Sequence, residues 1–301
     1  MSDIKIGLIG GTGLGEALSA SAEGIRHELD TPFGRPSDAI VETSWADLPV
    51  LVLSRHGPGH LINPSQIPFR ANIFALKQLG CTHILASGAV GSLREEFKPR
   101  DLIVPDQVID KTYKRANTFY ERAAVHVEFA EPFCPVLRQI LMEAAQGAEE
   151  HSVHDRGCYI CMEGPAFSTR AESLMHRLWG GDLIGMSAMP EARLAKEAEI
   201  SYALVGLVTD YDCWRMKTSQ NPAAEAASPQ ELLKEIIANL QTATQNAVLL
   251  MKRAVELIGQ RREQLAQCPA RRALELAIWS DKSRIDPMEV QRLAPLWMKY
   301  F

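Results

Sequence analysis

Positive charge is in short supply: 32 Lys and Arg against 37 Asp and Glu leave the 301-residue chain at a formal −5. Without a basic footprint, electrostatic capture of nucleic acid or of an anionic membrane surface is excluded as the main activity. Long apolar runs are missing as well. None approaches the ~20 residues that span a bilayer, and the opening Met-Ser-Asp-Ile-Lys lacks a signal-peptide layout. Cysteine is sparse, with six residues at irregular spacing, which argues against a disulfide framework and for reduced thiols in the cytoplasm. Cys158-Tyr-Ile-Cys161 has C-x-x-C spacing, but it falls inside an apolar strand-like run with no second pair to match it, so buried thiols are expected there rather than a metal or redox site. Nucleotide signatures fail too. Ile9-Gly-Gly-Thr-Gly-Leu-Gly15 would need glycine at 16 or 18 to read as a dinucleotide fingerprint, where Glu16 and Leu18 stand, and no G-K-[ST] follows for a phosphate-binding P-loop. Neither an internal repeat nor a low-complexity segment divides the chain.

What is present is an alternation of short apolar runs with helical periodicity. Ile4–Ile9, Pro49–Ser54, His83–Ser87, Asp101–Pro105, Cys158–Met162 and Ser201–Val208 read as strands, and Ile184–Ser187 as a short buried segment. Between them, Ser65–Leu79, Pro132–Gln146, Ala171–Trp179 and Pro190–Glu199 carry helical spacing. Ser228-Pro-Gln-Glu231 is a helix start, with Pro in the first turn and Glu placed for a capping box. That helix is predicted to reach about Glu263, with Leu232, Leu233, Ile236, Ile237 and Leu240 on its apolar side, after a mobile Ala-rich connection at Asn221–Ala227. Two shorter helices, Ala270–Ile278 and Pro287–Leu293, are expected to follow. The fold class is therefore α/β: a single domain over residues 1–263 with a mixed central β-sheet flanked by helices, plus a helical extension, 264–301, of the same domain.

Chemistry concentrates where strands end. Thr209-Asp-Tyr-Asp-Cys-Trp214 follows directly on an apolar run, so a two-residue period would aim Asp210 and Asp212 the same way from a strand's end. Ligands bind at that end of open α/β sheets. Two like charges so close oppose joint ionisation, which leaves one carboxyl able to hold and donate a proton. The Gly-rich turn after the first strand offers backbone N–H groups and the Thr12 hydroxyl to a small anion. Arg55-His56-Gly-Pro-Gly-His60 follows another strand and supplies a planar cationic fork with an adjacent imidazole. Ser87-Gly88-Ala89-Val90-Gly91-Ser92 ends a third strand in a small-residue turn. If these three ends converge, they make an inorganic-phosphate pocket in a protein with no basic surface. Phe167 is a flat ring suited to a base, and Gly185-Met186-Ser187-Ala188-Met189-Pro190-Glu191 groups a thioether, a hydroxyl and a carboxylate.

Gly10-Gly-Thr-Gly-Leu14, Asp30-Thr-Pro-Phe-Gly-Arg-Pro-Ser37, Arg55-His-Gly-x-x-His60, Gly91-Ser-Leu-Arg94, Ala130-Glu-Pro-Phe133, Glu163-Gly-Pro-x-Phe-Ser-x-Arg-Ala-Glu172 and Thr209–Trp214 stand together in order. In this the chain resembles the trimeric purine nucleoside phosphorylase family, and within it the 5′-methylthioadenosine phosphorylases, over about residues 4–260. The resemblance implies a nucleoside-phosphorylase fold. It also implies reversible phosphorolysis of 5′-methylthioadenosine to adenine and 5-methylthioribose 1-phosphate, a step of purine and methionine salvage. Gly10, Thr12, Arg55, His56, Ala89 and Ser187 would surround phosphate. Met186 would lie against the ribose and Phe167 over the purine, with Asp210 at N7 and Asp212 near the 6-amino group. His60 would approach the 5′ end of the sugar, and Leu232 would line the 5′-methylthio pocket. His126 would reach a neighbouring subunit's site in a homotrimer. No metal or organic cofactor is implied, phosphate being a co-substrate, and neither nucleic acid nor membrane is a partner.

There is a departure at Gly88, where the family commonly carries a hydroxyl or amide side chain. Two other readings stay open from the sequence. A purine nucleoside phosphorylase of broader or 6-oxopurine preference fits the same motifs, and Gly88 motivates a phosphate-independent nucleosidase. A nucleoside-binding protein without catalysis is the reading from a different class.

Overall fold

A computed structural model describes residues 4–12, 24–146, 152–215 and 228–301. The end of the Gly-rich turn (13–15) and the Asn221–Ala227 connection lie outside these. The continuous apolar runs become the middle of a sheet. Strand β1 (Ile6–Gly10) lies between β4 (Leu48–Ser54) and β5 (His83–Ser92), parallel to both, and β11 (Ser201–Asp210) runs parallel along the other side of β5. Both faces of these strands are covered, which explains why their sequences hardly alternate. Val50 and Val52 enter one apolar core, while Leu51 and Leu53 enter the other.

The remaining strands are β2 (Ile25–His27), β3 (Ile40–Trp45), β6 (Leu102–Ile103), β7 (Gln107–Lys111), β8 (Val153–His154), β9 (Cys158–Met162) and β10 (Leu183–Gly185). Among the described residues the sheet has eleven strands in the order β2-β3-β4-β1-β5-β10-β9-β7, with β11, β6 and β8 branching from β5. Antiparallel pairs such as β3–β4 and β10–β5 make it mixed, as expected. Strand β5 outruns its expected end at Ser87 because β11 stays paired with it as far as Gly91, while β1 pairs only with its first half and β10 takes up Gly91 and Ser92. The candidate turn at 87–92 is therefore strand, and it sits at the fork of the sheet.

On one face, helices α1 (Phe69–Gln78) and α4 (Ala188–Glu197) share a core with Trp297 near the C-terminus; on the other, α2 (Pro135–Ala144) packs with α5 (Pro229–Gln260). Helix α3 (Arg170–Leu178) opens with a full capping box between Thr169 and Glu172. The chain then closes with α6 (Arg262–Ala266), α7 (Pro287–Arg292) and α8 (Ala294–Trp297).

Three expectations are corrected. The helix predicted from Ser65 begins at Phe69, because Ile67 precedes a proline and is held extended (ψ 128°). Ala270–Ile278 is not an α-helix: a short 3₁₀ turn at Pro269–Arg272 continues as tight turns closed by Glu275 N–H to the Arg272 carbonyl and Ala277 N–H to the Leu274 carbonyl, and Ile278 then bridges to Val125. Helix α5 buries the side expected, with Leu240 packed against the core, but its first turns extend beyond that core. Its core residues are Ala243, Ala247, Leu250, Met251, Ala254, Val255 and Ile258, while Leu232, Leu233 and Ile237 in its first turns are exposed.

Candidate active site

Main-chain pairing brings the strand ends together. Arg55 N–H donates to the Gly10 carbonyl at 2.9 Å, continuing the β1–β4 register, and Gly11 N–H reaches Ser87 Oγ at 3.4 Å. The approach is close enough that a Cβ at Gly11 would lie 2.7 Å from an Arg55 Nη1 and 2.8 Å from the Ser87 carbonyl. One strand further, Gly88 and Ala89 pair with Gly206 and Leu207 of β11, and a Cβ at Gly88 would meet the Ser187 hydroxyl at 3.7 Å. Gly10, Arg55, Ser87, Ala89 and Ser187 thus form one cradle, with Thr12 half-buried beside it. Ser187 stands where a helix cap would, yet its side chain makes no capping bond.

Arg55 does not present its fork to this cradle. The side chain is wholly buried, and its Nε and Nη2 bind both carboxylate oxygens of Glu191 at 2.8 Å, while Nη1 donates to the Ser87 carbonyl at 2.6 Å. Tyr202 Oη adds a third bond to the Glu191 carboxylate at 2.8 Å. The expectation of a free planar fork is corrected: two of the five guanidinium N–H groups remain for an anion, and Glu191 balances the charge. His56 is similarly committed on one side. Its Nδ1 donates to the Ile62 carbonyl at 2.8 Å, so the neutral ring offers only a lone pair at Nε2. Burial brings the imidazole down to about 4, opposed by the bond to Ile62 and reinforced by the Arg55 charge. His60 stacks on it with ring centroids 4.2 Å apart and faces solvent.

Farther along the same pair of strands sit the two aspartates. The register breaks between Val208 and Asp210, so simple alternation does not carry on to Asp212. Even so, both side chains come to one spot: a Cβ at Gly91 would be 3.3 Å from Asp210 Oδ1 and 3.3 Å from Asp212 Cβ. Burial lifts the Asp210 carboxyl above the usual range; a bond from the Thr209 hydroxyl to Oδ2 (2.6 Å) opposes this, and the Asp212 charge adds to it. Asp212 Oδ2 is buried without a hydrogen-bond partner among the described residues. The strand end itself is pinned from α5, where Asn239 donates to the Thr209 carbonyl at 2.9 Å.

The sequence reading missed Arg115. This buried guanidinium donates to the carbonyls of Met186 (2.7 Å), Met189 (2.6 Å) and Glu163 (2.6 Å) and approaches the Glu163 carboxylate at 3.4 Å. Glu163 also accepts Tyr113 N–H at 2.8 Å. Met186 is held here against Gly164, whose positive φ (71°) and lack of a Cβ are both required, since a Cβ would fall 2.5 Å from Met186 Sδ. Nothing in Lys114-Arg115-Ala116 distinguishes this arginine from a surface cation, and only the distant carbonyls give it its role.

Other candidates stand apart. Phe167 is 86% exposed, an open ring at the rim, and Leu232 is 38% exposed in the first turn of α5. His126 is exposed and held by the C-terminal segment: its N–H donates to the Ala277 carbonyl at 2.9 Å, and its ring meets Trp279 at 4.7 Å. Within one chain the structure does not join His126 or Leu232 to the cluster.

The two aspartates and the cradle of strand ends thus lie along the same strands of one sheet. Residues 5–256 match the model of the phosphorylase superfamily. The chain belongs to that superfamily. Within it, the phosphorylase groups with the S-methyl-5′-thioadenosine phosphorylases. It is 44% identical over 306 aligned residues to the one from Synechocystis, covering 100% of this chain and 89% of that protein. A crystal structure of a methylthioadenosine phosphorylase from an antarctic soil metagenomic library superposes with a TM-score of 0.86 at 41% identity, covering 98% of this chain and 99% of that one. The methylthioadenosine phosphorylase from Schistosoma mansoni, solved in complex with adenine, gives a TM-score of 0.82 at 36% identity over 92% of this chain and 99% of that one. Among the described residues of the phosphorylase, no helix is long and apolar enough to cross a membrane.

Proposed function

We propose that this phosphorylase cleaves 5′-methylthioadenosine with inorganic phosphate through a site built from Asp210, Asp212 and the strand-end cradle. The convergence of the two aspartates on Gly91, one carboxyl lifted and the other with an unpartnered buried oxygen, is the observation that carries this reading. Protonated Asp210 donates to purine N7 as the C1′–N9 bond breaks and its electron pair moves onto the base. Asp212 accepts from the 6-amino group; a 6-oxo group would set acceptor against acceptor, which favours adenine over hypoxanthine. A phosphate oxygen forms the new bond to C1′ from the opposite side, and the anion faces the developing oxocarbenium charge.

Gly10, Thr12, Ala89, Ser187 and the two free N–H groups of Arg55 hold that phosphate. Neutral His56 accepts from a protonated phosphate oxygen at Nε2, or takes up its proton as the dianion binds. Met186 lies under the ribose, Phe167 closes over the purine, and His60 and Leu232 face the 5′ substituent. His126 and the exposed Trp279 beside it suit a neighbouring subunit's site in a homotrimer. Residues 1–263 form the phosphorylase domain, with 264–301 as its extension, working in the cytoplasm with no cofactor beyond phosphate. Support comes also from the adenine bound to the Schistosoma mansoni relative.

The test is adenine release from 5′-methylthioadenosine with and without phosphate, with inosine alongside. Release that requires phosphate and spares inosine is the expected result. Release without phosphate would replace the reading with a hydrolase, comparable turnover of inosine with a broader purine nucleoside phosphorylase, and binding without release with a nucleoside-binding protein.

A further inference from the structure

Away from the candidate active site, two of the six cysteines meet. Cys134 and Cys268 come from positions 134 residues apart, yet their sulfur atoms lie 3.4 Å from each other. Each is fixed by its backbone. Cys134 is the residue before the first turn of the ten-residue helix α2, and its N–H donates to the Tyr202 carbonyl of β11 at 2.8 Å. Cys268 follows α6 and precedes Pro269, its N–H bonded to the Leu265 carbonyl at 3.2 Å. Both residues are buried as free thiols, 7% and 1% exposed. The burial is not sealed. A cleft of about 300 Å³ has Cys134 in its wall together with Phe133, Lys196, Tyr202, Pro269 and Ala270.

We propose that Cys134 and Cys268 are an oxidative modification site, at which hydrogen peroxide entering this cleft converts the two thiols into a reversible disulfide. The Cys134 thiolate attacks the peroxide, breaking its O–O bond; sulfur gains an oxygen as sulfenic acid, and the other oxygen leaves as water after protonation. The Cys268 sulfur then attacks the Cys134 sulfur, the S–S bond forms, the S–O bond breaks, and the hydroxyl leaves as water with the Cys268 proton. Two thiols have lost two electrons to one peroxide, which becomes two waters.

Cys134 is the attacking partner on chemical grounds. A bond from the Cys268 thiol outweighs burial and, with the N–H groups of Leu137 and Val136 at the start of α2, holds the Cys134 thiol down to about 7. Cys81 and Cys161, buried without such support, are pushed up to about 12, and Cys158 to about 11. Reaction is therefore expected at one pair, faster as pH rises through neutrality. The product ties the entry of α2, and through it the β11 edge, to the segment that begins the C-terminal extension.

The experiment is graded hydrogen peroxide treatment of the native full-length protein, followed by intact mass, non-reducing peptide mapping and dithiothreitol reversal. The expected result is a loss of about 2 Da, a single linked peptide pair containing Cys134 and Cys268, and return to the starting mass on reduction. Cys268→Ser should abolish the link and leave a Cys134 sulfenic acid that dimedone traps; Cys134→Ser should abolish both link and trapping. Circular dichroism of the two variants confirms that each is folded. Linkage of any other pair, oxygen addition without a link, or dimedone labelling in Cys134→Ser equal to that in Cys268→Ser would overturn the assignment. So would resistance of the native pair to peroxide concentrations that oxidise the denatured chain.

Discussion

The two halves of the candidate cleft are built differently. Around the proposed phosphate cradle the polar side chains already have partners: Arg55 has Glu191 and the Ser87 carbonyl, Glu191 has Tyr202, and neutral His56 has Ile62. Around the proposed base site, Asp212 keeps a buried oxygen without a described partner, Phe167 lies open, and Leu232 is partly exposed. The first region is preorganised, so its polar groups need not rearrange when a dianion arrives, and electrostatic stabilisation works best under that condition. The second is incomplete until a ligand, or a neighbouring chain, supplies the missing partners. Under the proposed assignment, anion handling belongs to the fold of one chain, whereas recognition of base and 5′ group depends on what is added to it.

The sharpest way to break this contrast is at the open end. Asp210→Asn keeps the shape but cannot deliver a proton in the same way, and turnover of 5′-methylthioadenosine should fall by about 10²–10⁴-fold, with the KM for phosphate little changed. Initial-rate kinetics varying each substrate separate the two effects. At the closed end, Glu191→Gln leaves the Arg55 charge buried without its counter-ion, and loss of about 3–5 kcal/mol of stability is expected, read from urea unfolding. If that variant were as stable as the parent, the cradle would not be held by the pair.

A third test addresses the other end of the helix that carries Glu191. Burial pushes the Glu197 carboxyl up to about 7 from 4.5, against bonds that include one from Phe119 N–H at 2.8 Å. The folded protein then binds this proton more tightly than the unfolded chain does. Stability is expected to fall as pH rises from about 4.5 to about 7 and to level off above. Glu197→Gln should remove up to about 3 kcal/mol of that decline, measured as unfolding free energy across pH 5 to 8. The smallest effect is expected at Gly88. A Cβ there would meet Ser187 only at ordinary contact distance (3.7 Å), so Gly88→Ser fits. One restored bond to the anion should lower the KM for phosphate by about tenfold; an unchanged value would show that the cradle is already saturated.

Much of the fold was legible because buried parallel strands announce themselves as unbroken apolar runs, as in β1, β4, β9 and β11. The strands that escaped notice, β2, β3, β7 and β8, are half-exposed and read Ile-Arg-His, Ile-Val-Glu-Thr-Ser-Trp, Gln-Val-Ile-Asp-Lys and Val-His. Their side chains are chosen for two different environments, and segments so short carry too few residues to show a period. At the candidate site, the strand-end turns and the aspartate pair were visible as strand-end chemistry. The Arg55–Glu191 pair was not, since the partners are 136 positions apart and nothing local marks which carboxylate an arginine will meet. The same distance hides Arg115, whose ligands are carbonyl oxygens that every residue has.

Arg115 also bears on how the molecule can be changed. One side chain binds the segments after β9 and after β10 while sitting in a third, so the Glu163–Phe167 and Met186–Met189 stretches are not independent modules. An attempt to retune sugar or base preference by transplanting either stretch from a relative would alter the lengths of the same fork. Compatible exchanges must travel as a set of three, with the 113–115 turn included. Variation in this family's specificity should accordingly accumulate at rim positions such as Phe167 and Leu232, which hang free of the knot.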